Sequence, residues 1–181
     1  MLFFLHRELD ESAQNIRRGG KGELQLASIR KIVELITSKR LDAILVKAFI
    51  IGYAAVTHIN HIMDLLLQRW NIPPPRGCSL AEFNQFLKTK LRLVRLRIVY
   101  FVRQWISIAP EDFRVQSEAR EKLDMLIHTM QTQSWKKALL KLLLNADEEA
   151  KLESETITKV EQQETKQQSK SRSPILTVLS M

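Results

Sequence analysis

The clearest chemical signal in the sequence is a run of basic residues that contains no acidic residue. Between Phe83 and Ala109 the chain has six lysines and arginines and neither aspartate nor glutamate. Positive side chains on one helix face attract phosphates and carboxylates, so this run could bind an acidic partner. The residues predicted for such a face are Lys88, Arg92, Arg95 and Arg103. The simpler interpretation is a solvated helix face whose long side chains cover apolar groups of the core.

Other reactive residue types lack the partners that catalysis or metal binding requires. His58 and His61 are three residues apart and could share a metal ion, but their predicted helix offers only Asp64 as a further ligand. Cys78, the single cysteine, has no histidine in a known nucleophile pattern and no second cysteine for a disulfide. The sequence therefore predicts a binding or supporting module with no catalytic residues, no metal site and no cofactor.

The composition favours helices. The chain has 181 residues, of which 45% are hydrophobic, and it contains only five glycines and five prolines. A β-sandwich or barrel would need a turn signal about every 8–12 residues, so an all-β fold is excluded. The predicted fold is all-α, an irregular multi-helix bundle of about five or six helices with a disordered C-terminal tail.

Neither a targeting signal nor a membrane-spanning segment is recognisable in the sequence. The apolar N-terminus, Met1–Leu5, has no preceding basic residue. The stretch from Ala43 to Val56 is interrupted by Lys47 and is shorter than the roughly 20 residues that cross a bilayer. The predicted localisation is cytoplasmic, with peripheral contact to a membrane left open.

Changes in composition divide the chain into three parts. Residues 1–22 form an N-terminal segment with a glycine-rich joint, residues 23–146 form a helical domain, and residues 147–181 form a polar tail or linker. The tail carries seven acids and five bases, so residues 1–146 carry 13 acids and 23 bases, a net charge of +10. The basic surplus therefore belongs to the helical domain.

Hydrophobic spacing and capping residues predict where the helices lie. The segment from Ala43 to Ala55 is apolar almost all round, which predicts a helix in the middle of the core. A short helix is also expected to begin within Leu2–Arg18. The remaining predicted helices run from Glu23 to Ser38, from the cap Thr57 to the Pro73–Pro75 loop, from the capping box Ser79–Glu82 to about Ile108, from about Gln116 to Met130, and onward from the cap Ser134. Asp42 is the predicted N-cap of the helix that starts at Ala43.

Several short segments, in a fixed order, resemble a known family. They are Ile16-Arg17-Arg18-Gly19, Ile32-Val33-Glu34-Leu35-Ile36-Thr37, Ala48-Phe49-Ile50-Ile51-Gly52-Tyr53, Met63-Asp64-Leu65-Leu66, Arg69-Trp70, Val94-Arg95-Leu96-Arg97-Ile98, Trp105-Ile106 and Pro110-Glu111-Asp112-Phe113. With these segments, the run from Ile16 to Met130 resembles the Ras exchanger motif (REM) domain, the N-terminal domain of Ras-type guanine nucleotide exchange factors. The resemblance rests on core residues, so it supports the fold more directly than the activity.

The resemblance implies a non-catalytic domain that packs beside a catalytic exchange domain and braces its helical hairpin. The implied partners are that exchange domain, in the same polypeptide or in trans, and through it a Ras-like GTPase. About fifty residues follow Met130, whereas an exchange domain needs on the order of 200, so we expect this chain to lack one. Phe49, Tyr53 and Trp70 are either docking residues or core residues on this hypothesis.

Two other functions remain open from the sequence. A basic helical domain could bind nucleic acid or an anionic membrane through the helix from Lys88 to Arg103. Nucleic acid is the less favoured of these ligands, because the bases are not interleaved with aromatic residues in a recognisable motif. A helical scaffold with a tail controlled by phosphorylation is the other alternative. The GTPase, the pathway and the oligomeric state are not specified by the sequence.

Overall fold

A computed structural model of the chain describes residues 16–20, 24–38 and 42–171. In the part that it describes, the protein is built almost entirely from helices, as predicted. The elements in chain order are β1 (Ile16–Arg18), β2 (Leu24–Ala27), α1 (Ile29–Ile36), α2 (Ala43–Gly52), a 3-10 turn (Tyr53–Ala55), α3 (Ile59–Trp70), α4 (Leu80–Phe86), a π turn (Leu87–Leu91), α5 (Arg92–Ile108), a second 3-10 turn (Pro110–Phe113), α6 (Glu118–His128) and α7 (Gln133–Ser171).

The N-terminal part of the described chain differs from the prediction. Strands β1 and β2 form an antiparallel pair with Ile16 opposite Ala27, so the predicted helix over Glu23–Ser38 is wrong from Leu24 to Ser28. The helix starts later because Ser28 is the N-cap and its side chain accepts a hydrogen bond from the Lys31 backbone N–H at 3.2 Å. The predicted short helix within Leu2–Arg18 falls mostly outside the described residues, and its last three residues are strand.

Polar caps fix the starts of α2 and α4 as predicted. The Asp42 carboxylate accepts hydrogen bonds from the backbone N–H groups of Ile44 and Leu45, each at 3.0 Å. At α4 the Ser79 hydroxyl accepts from the Glu82 N–H, and the Glu82 carboxylate accepts from the Ser79 N–H at 2.8 Å. Each arrangement satisfies backbone donors that the first turn of a helix otherwise leaves unpaired.

Two other predicted caps are displaced. The N-cap of α3 is His58 rather than Thr57, and it makes no side-chain capping bond. Helix α7 begins at Gln133, which places the predicted cap Ser134 inside the helix. Differences of one or two residues arise because the position of an N-cap depends on the local backbone conformation as well as on side-chain type.

The long helix predicted from Ser79 to Ile108 is present, and a π turn divides it. Helix α4, the π turn and α5 follow each other without a break, which makes six helices in the described chain when they are counted as one. A π turn has more residues per turn than an α-helix, so it changes which sequence positions face the core before and after it. At the other end of α5, Pro110 starts a 3-10 turn that closes the helix.

The hydrophobic core is formed by α1, α2, α3, α5, α6 and the start of α7. Its largest fully buried side chains are Trp70, Phe101, Trp105 and Phe113. Leu139 and Leu143 of α7 also belong to it, with exposures of 0% and 1%. The aromatic residues of the family-like segments are thus core residues.

By its internal contacts the chain divides into two units, residues 1–143 and 144–181. In the second unit the helix continues to Ser171, and the side chains from Glu148 to Ile157 are exposed. The sequence predicts a polar, disordered tail or linker over residues 147–181 and no helix up to Ser171. Glu, Gln and Lys are good helix formers, and no glycine or proline interrupts the segment before Pro174. No helix in the described ranges is both long enough and apolar enough to cross a membrane.

Candidate functional site

Three of the four predicted binding residues lie on the outer side of the long helix. Lys88, Arg92 and Arg103, here called the basic row, are all exposed. Lys88 and Arg92 are four positions apart, or about one helical turn, and Arg92 and Arg103 are eleven positions apart, or about three turns. This spacing keeps the three residues on one side of the helix. Leu96, four residues after Arg92, is 43% exposed on the same side. The basic row is therefore accessible to a partner.

Arg95, the fourth predicted residue, is placed differently from the basic row. Its Nε donates a hydrogen bond to the Trp70 backbone carbonyl at 3.1 Å. Its guanidinium carbon lies 4.9 Å from the centroid of the Trp70 ring, within the range of a cation–π contact. Burial lowers the pKa of the Arg95 guanidinium. Arg95 therefore fastens α5 to the end of α3 and does not belong to the exposed basic row.

Substituting Arg95 with lysine is expected to lower the free energy of unfolding by about 1 kcal/mol. Lysine keeps the charge but loses the planar guanidinium that stacks on Trp70 and holds the Nε donor in place. Urea unfolding followed by circular dichroism measures the effect. Arg92→Lys is the matched control on the exposed row and should change stability by less than about 0.5 kcal/mol. Equal effects of the two substitutions would contradict this role for Arg95.

Helix α2 exposes a row of apolar residues that the sequence analysis placed in the core. Ile44 is 81% exposed and Ile51 is 75% exposed, and Ala48 between them is exposed as well. Their spacing of four and three residues puts them on one side of the helix, and we call them the apolar stripe. Lys47 is exposed next to the stripe. The predicted central position of α2 is therefore wrong, because only one face of the helix is buried.

The opposite face of α2 fixes the helix to the domain. Phe49 lies 6.2 Å from Phe101, and Tyr53, just after the helix, lies 5.0 Å from Trp105, both measured between ring centroids. Phe49 and Tyr53 are each 8% exposed, and Trp70 is 2% exposed. These three residues, which the sequence left open as docking residues, are therefore core residues. The apolar stripe faces away from this contact, on a helix that packing and a capped start hold in place.

A polar network supports the aromatic cluster behind α2. This cluster consists of Phe49, Tyr53, Phe101, Trp105 and Phe113. The Trp105 indole Nε1 donates a hydrogen bond to the Asp112 carboxylate at 2.6 Å. Burial raises the pKa of Tyr53, and a hydrogen bond to Asp112 and the negative charges of Asp112 and Glu111 raise it further. Tyr53 therefore stays neutral at physiological pH. The network satisfies the polar tips of two buried aromatic rings and leaves their apolar parts to the core.

The three residues considered as metal ligands, His58, His61 and Asp64, lie at the start of α3. His58 and His61 are exposed. Asp64 binds the Lys122 ammonium at 2.7 Å, and the same ammonium lies 2.9 Å from Glu118. This ion pair links α3 to α6 and raises the pKa of Lys122. Among the described residues, no cluster of three or more His, Cys, Asp or Glu side chains is arranged to hold a metal ion.

The described residues form a helical domain with an aromatic core and two exposed surfaces, the basic row and the apolar stripe. The RasGEF N-terminal motif matches residues 23–127, which is more than half of the chain. The chain therefore belongs to the RasGEF N-terminal motif family, and the resemblance that the sequence suggested is confirmed.

Curated relatives carry the same segment within much longer proteins. Cell division control protein 25 of Candida albicans is 27% identical over 84 residues, which are 46% of this chain and 6% of the relative. Ras guanine nucleotide exchange factors I and J of Dictyostelium discoideum are 28% and 29% identical over 92 and 94 residues, or 50% and 51% of this chain. The matched segment makes up 11% of each of these two exchange factors. The chain thus matches only a small part of each relative.

Proposed function

We propose that this chain is a non-catalytic regulatory module that docks onto a catalytic exchange domain through the apolar stripe of α2. By bracing that domain it modulates nucleotide exchange on a Ras-like GTPase in the cytoplasm. The exchange domain belongs to the same polypeptide or is met in trans. The observation that carries the proposal is the exposure of Ile44 and Ile51 on one side of a helix that is otherwise packed and capped.

Exposed apolar rows of this kind are favourable only when a partner covers them. Full burial of an isoleucine side chain contributes about 1.5–3 kcal/mol, so covering Ile44 and Ile51 supplies a substantial part of a micromolar affinity. Ala48 between them is small and lets a partner helix approach closely. Lys47 lies beside the stripe and can pair with an acidic group at the rim of the interface. The geometry fits a helix or helical hairpin laid along α2.

Family membership supports the choice of partner. The two Dictyostelium relatives are named as Ras guanine nucleotide exchange factors, and in each of them the matched segment is accompanied by a much longer remaining chain. A domain that regulates exchange without performing it must transmit its effect by contact with the catalytic part. The apolar stripe offers such a contact, because its helix is fixed to the core by Phe49 and Tyr53.

Titration calorimetry between this chain and the catalytic exchange domain of a Ras guanine nucleotide exchange factor tests the proposal. We expect a 1:1 complex with a Kd of about 10 μM or tighter and a negative heat-capacity change, which accompanies burial of apolar surface. The chain added alone to a nucleotide-loaded Ras-like GTPase should leave nucleotide release unchanged. Absence of binding at about 100 μM would overturn the docking proposal, because it means a binding free energy weaker than about 5.5 kcal/mol.

A further inference from the structure

The long helix carries exposed leucines beside its basic residues, and the docking proposal does not use either of them. Leu80 is 76% exposed, Leu87 is 37% exposed and Leu96 is 43% exposed. Leu87 directly precedes Lys88, and Leu96 lies one turn beyond Arg92. We define the lipid face as these leucines together with the basic row: Leu80, Leu87, Leu96, Lys88, Arg92 and Arg103.

We propose that the lipid face binds the surface of an anionic membrane. An interfacial helix of this type places Leu side chains at the boundary of the acyl chains and Lys or Arg side chains among the anionic headgroups. The face extends over 24 residues from Leu80 to Arg103, or roughly 36 Å at about 1.5 Å per residue. Its extended shape matches a flat partner.

Charge complementarity favours an anionic surface in particular. Between Leu80 and Arg103 the single acid is Glu82, in the first turn of α4; none lies between Phe83 and Ala109, and residues 1–146 carry a net charge of +10. Each Lys or Arg near an anionic membrane surface strengthens binding about five-fold, so three bases supply a reversible attraction and the leucines add to it. The contact is peripheral, since no helix in the described ranges can span a bilayer.

Nucleic acid fits the same surface less well. Binding of single strands relies on exposed aromatic rings that stack on bases. Of the aromatic residues in this helix, Phe86, Phe101 and Trp105 are at most 2% exposed, and Phe83 and Tyr100 are only partly exposed. The exposed leucines beside the basic residues gain nothing from a phosphate backbone, whereas a lipid surface can bury them.

Co-sedimentation of the full chain with vesicles tests the proposal. The chain should bind phosphatidylcholine vesicles that contain about 30% phosphatidylserine, should bind pure phosphatidylcholine much more weakly, and should be released as salt is raised. The double substitution Arg92→Gln and Arg103→Gln should reduce the partition coefficient about 25-fold. Its matched control, Arg30→Gln with Arg114→Gln, removes the same charge from exposed positions outside the face and should reduce it less than about three-fold.

The contribution of the leucines is tested separately. Leu80→Gln with Leu96→Gln should weaken vesicle binding at least about five-fold, while Met125→Gln, at a 61% exposed position on α6, should not. Circular dichroism checks that every variant stays folded. Equal losses in the two arginine variants would overturn the proposal, because net charge alone would then explain binding. Binding to a single-stranded oligonucleotide or an acidic peptide without binding to anionic vesicles would also overturn it.

Discussion

Replacing Trp105 with alanine is expected to lower the free energy of unfolding by about 4 kcal/mol. Trp105 is 0% exposed and stands at the centre of the aromatic cluster, with ring centroids at 5.0 Å from Tyr53, 5.2 Å from Phe101 and 5.4 Å from Phe113. The substitution empties a large volume and leaves the Asp112 carboxylate without its indole donor. It removes the ring contacts that join the Tyr53–Ala55 turn and the Pro110–Phe113 turn to α5.

Urea unfolding followed by circular dichroism measures this loss. Small domains have a total stability of about 5–15 kcal/mol, so the variant should unfold at a much lower urea concentration or be partly unfolded in buffer. Leu96→Ala serves as the control on the same helix, because its side chain is 43% exposed, and it should cost less than about 1 kcal/mol. A loss below about 1 kcal/mol for Trp105→Ala would show that the aromatic cluster does not organise the domain.

Converting the apolar stripe to a polar surface should abolish docking without harming the fold. In the variant Ile44→Gln with Ile51→Gln, we expect at least about 100-fold weaker binding to the exchange domain, equivalent to about 2.7 kcal/mol. Both positions point to solvent, with exposures of 81% and 75%, so the melting temperature should stay within a few degrees of the wild type. Glutamine is a good helix former and preserves α2.

Calorimetric titration of the stripe variant against the same exchange domain provides the measurement. Met125→Gln is the matched control, since Met125 is 61% exposed on a different helix and lies outside the stripe. The control should bind with wild-type affinity. If the stripe variant also binds like the wild type, another surface carries the contact and α2 has no part in docking.

Local sequence rules predicted the parts of the fold that depend on neighbouring residues. Asp42 and the Ser79–Glu82 box lie at the helix starts where their side chains satisfy backbone donors, and Pro110 closes α5. The pairing of β1 with β2 was missed, because each strand is too short to show an alternating pattern and depends on the other for its stability. Pairing between separate segments is not encoded in the periodicity of either one.

The surfaces were harder to predict than the helices. Apart from Lys47, helix α2 is apolar all round, so hydrophobicity alone does not show which face of the helix is buried. Ile44 and Ile51 follow the same helical spacing as the buried residues. The orientation of α2 is set by its packing on α5, where Phe49 contacts Phe101. Arg95 was assigned to the exposed basic face for a similar reason. Its contact with Trp70 joins residues 25 positions apart, which helical spacing within α5 does not reveal.

The rate of nucleotide release from a Ras-like GTPase tests the proposed regulation most directly. A fixed, limiting concentration of a catalytic exchange domain is mixed with GTPase loaded with a fluorescent guanine nucleotide, and this chain is titrated in. We predict that the catalysed rate changes, that the change is half-maximal at the Kd found by calorimetry and then reaches a plateau, and that the Ile44→Gln, Ile51→Gln variant leaves the rate unaltered. A catalysed rate that stays constant up to saturating amounts of the wild-type chain would contradict the proposal that this domain modulates exchange.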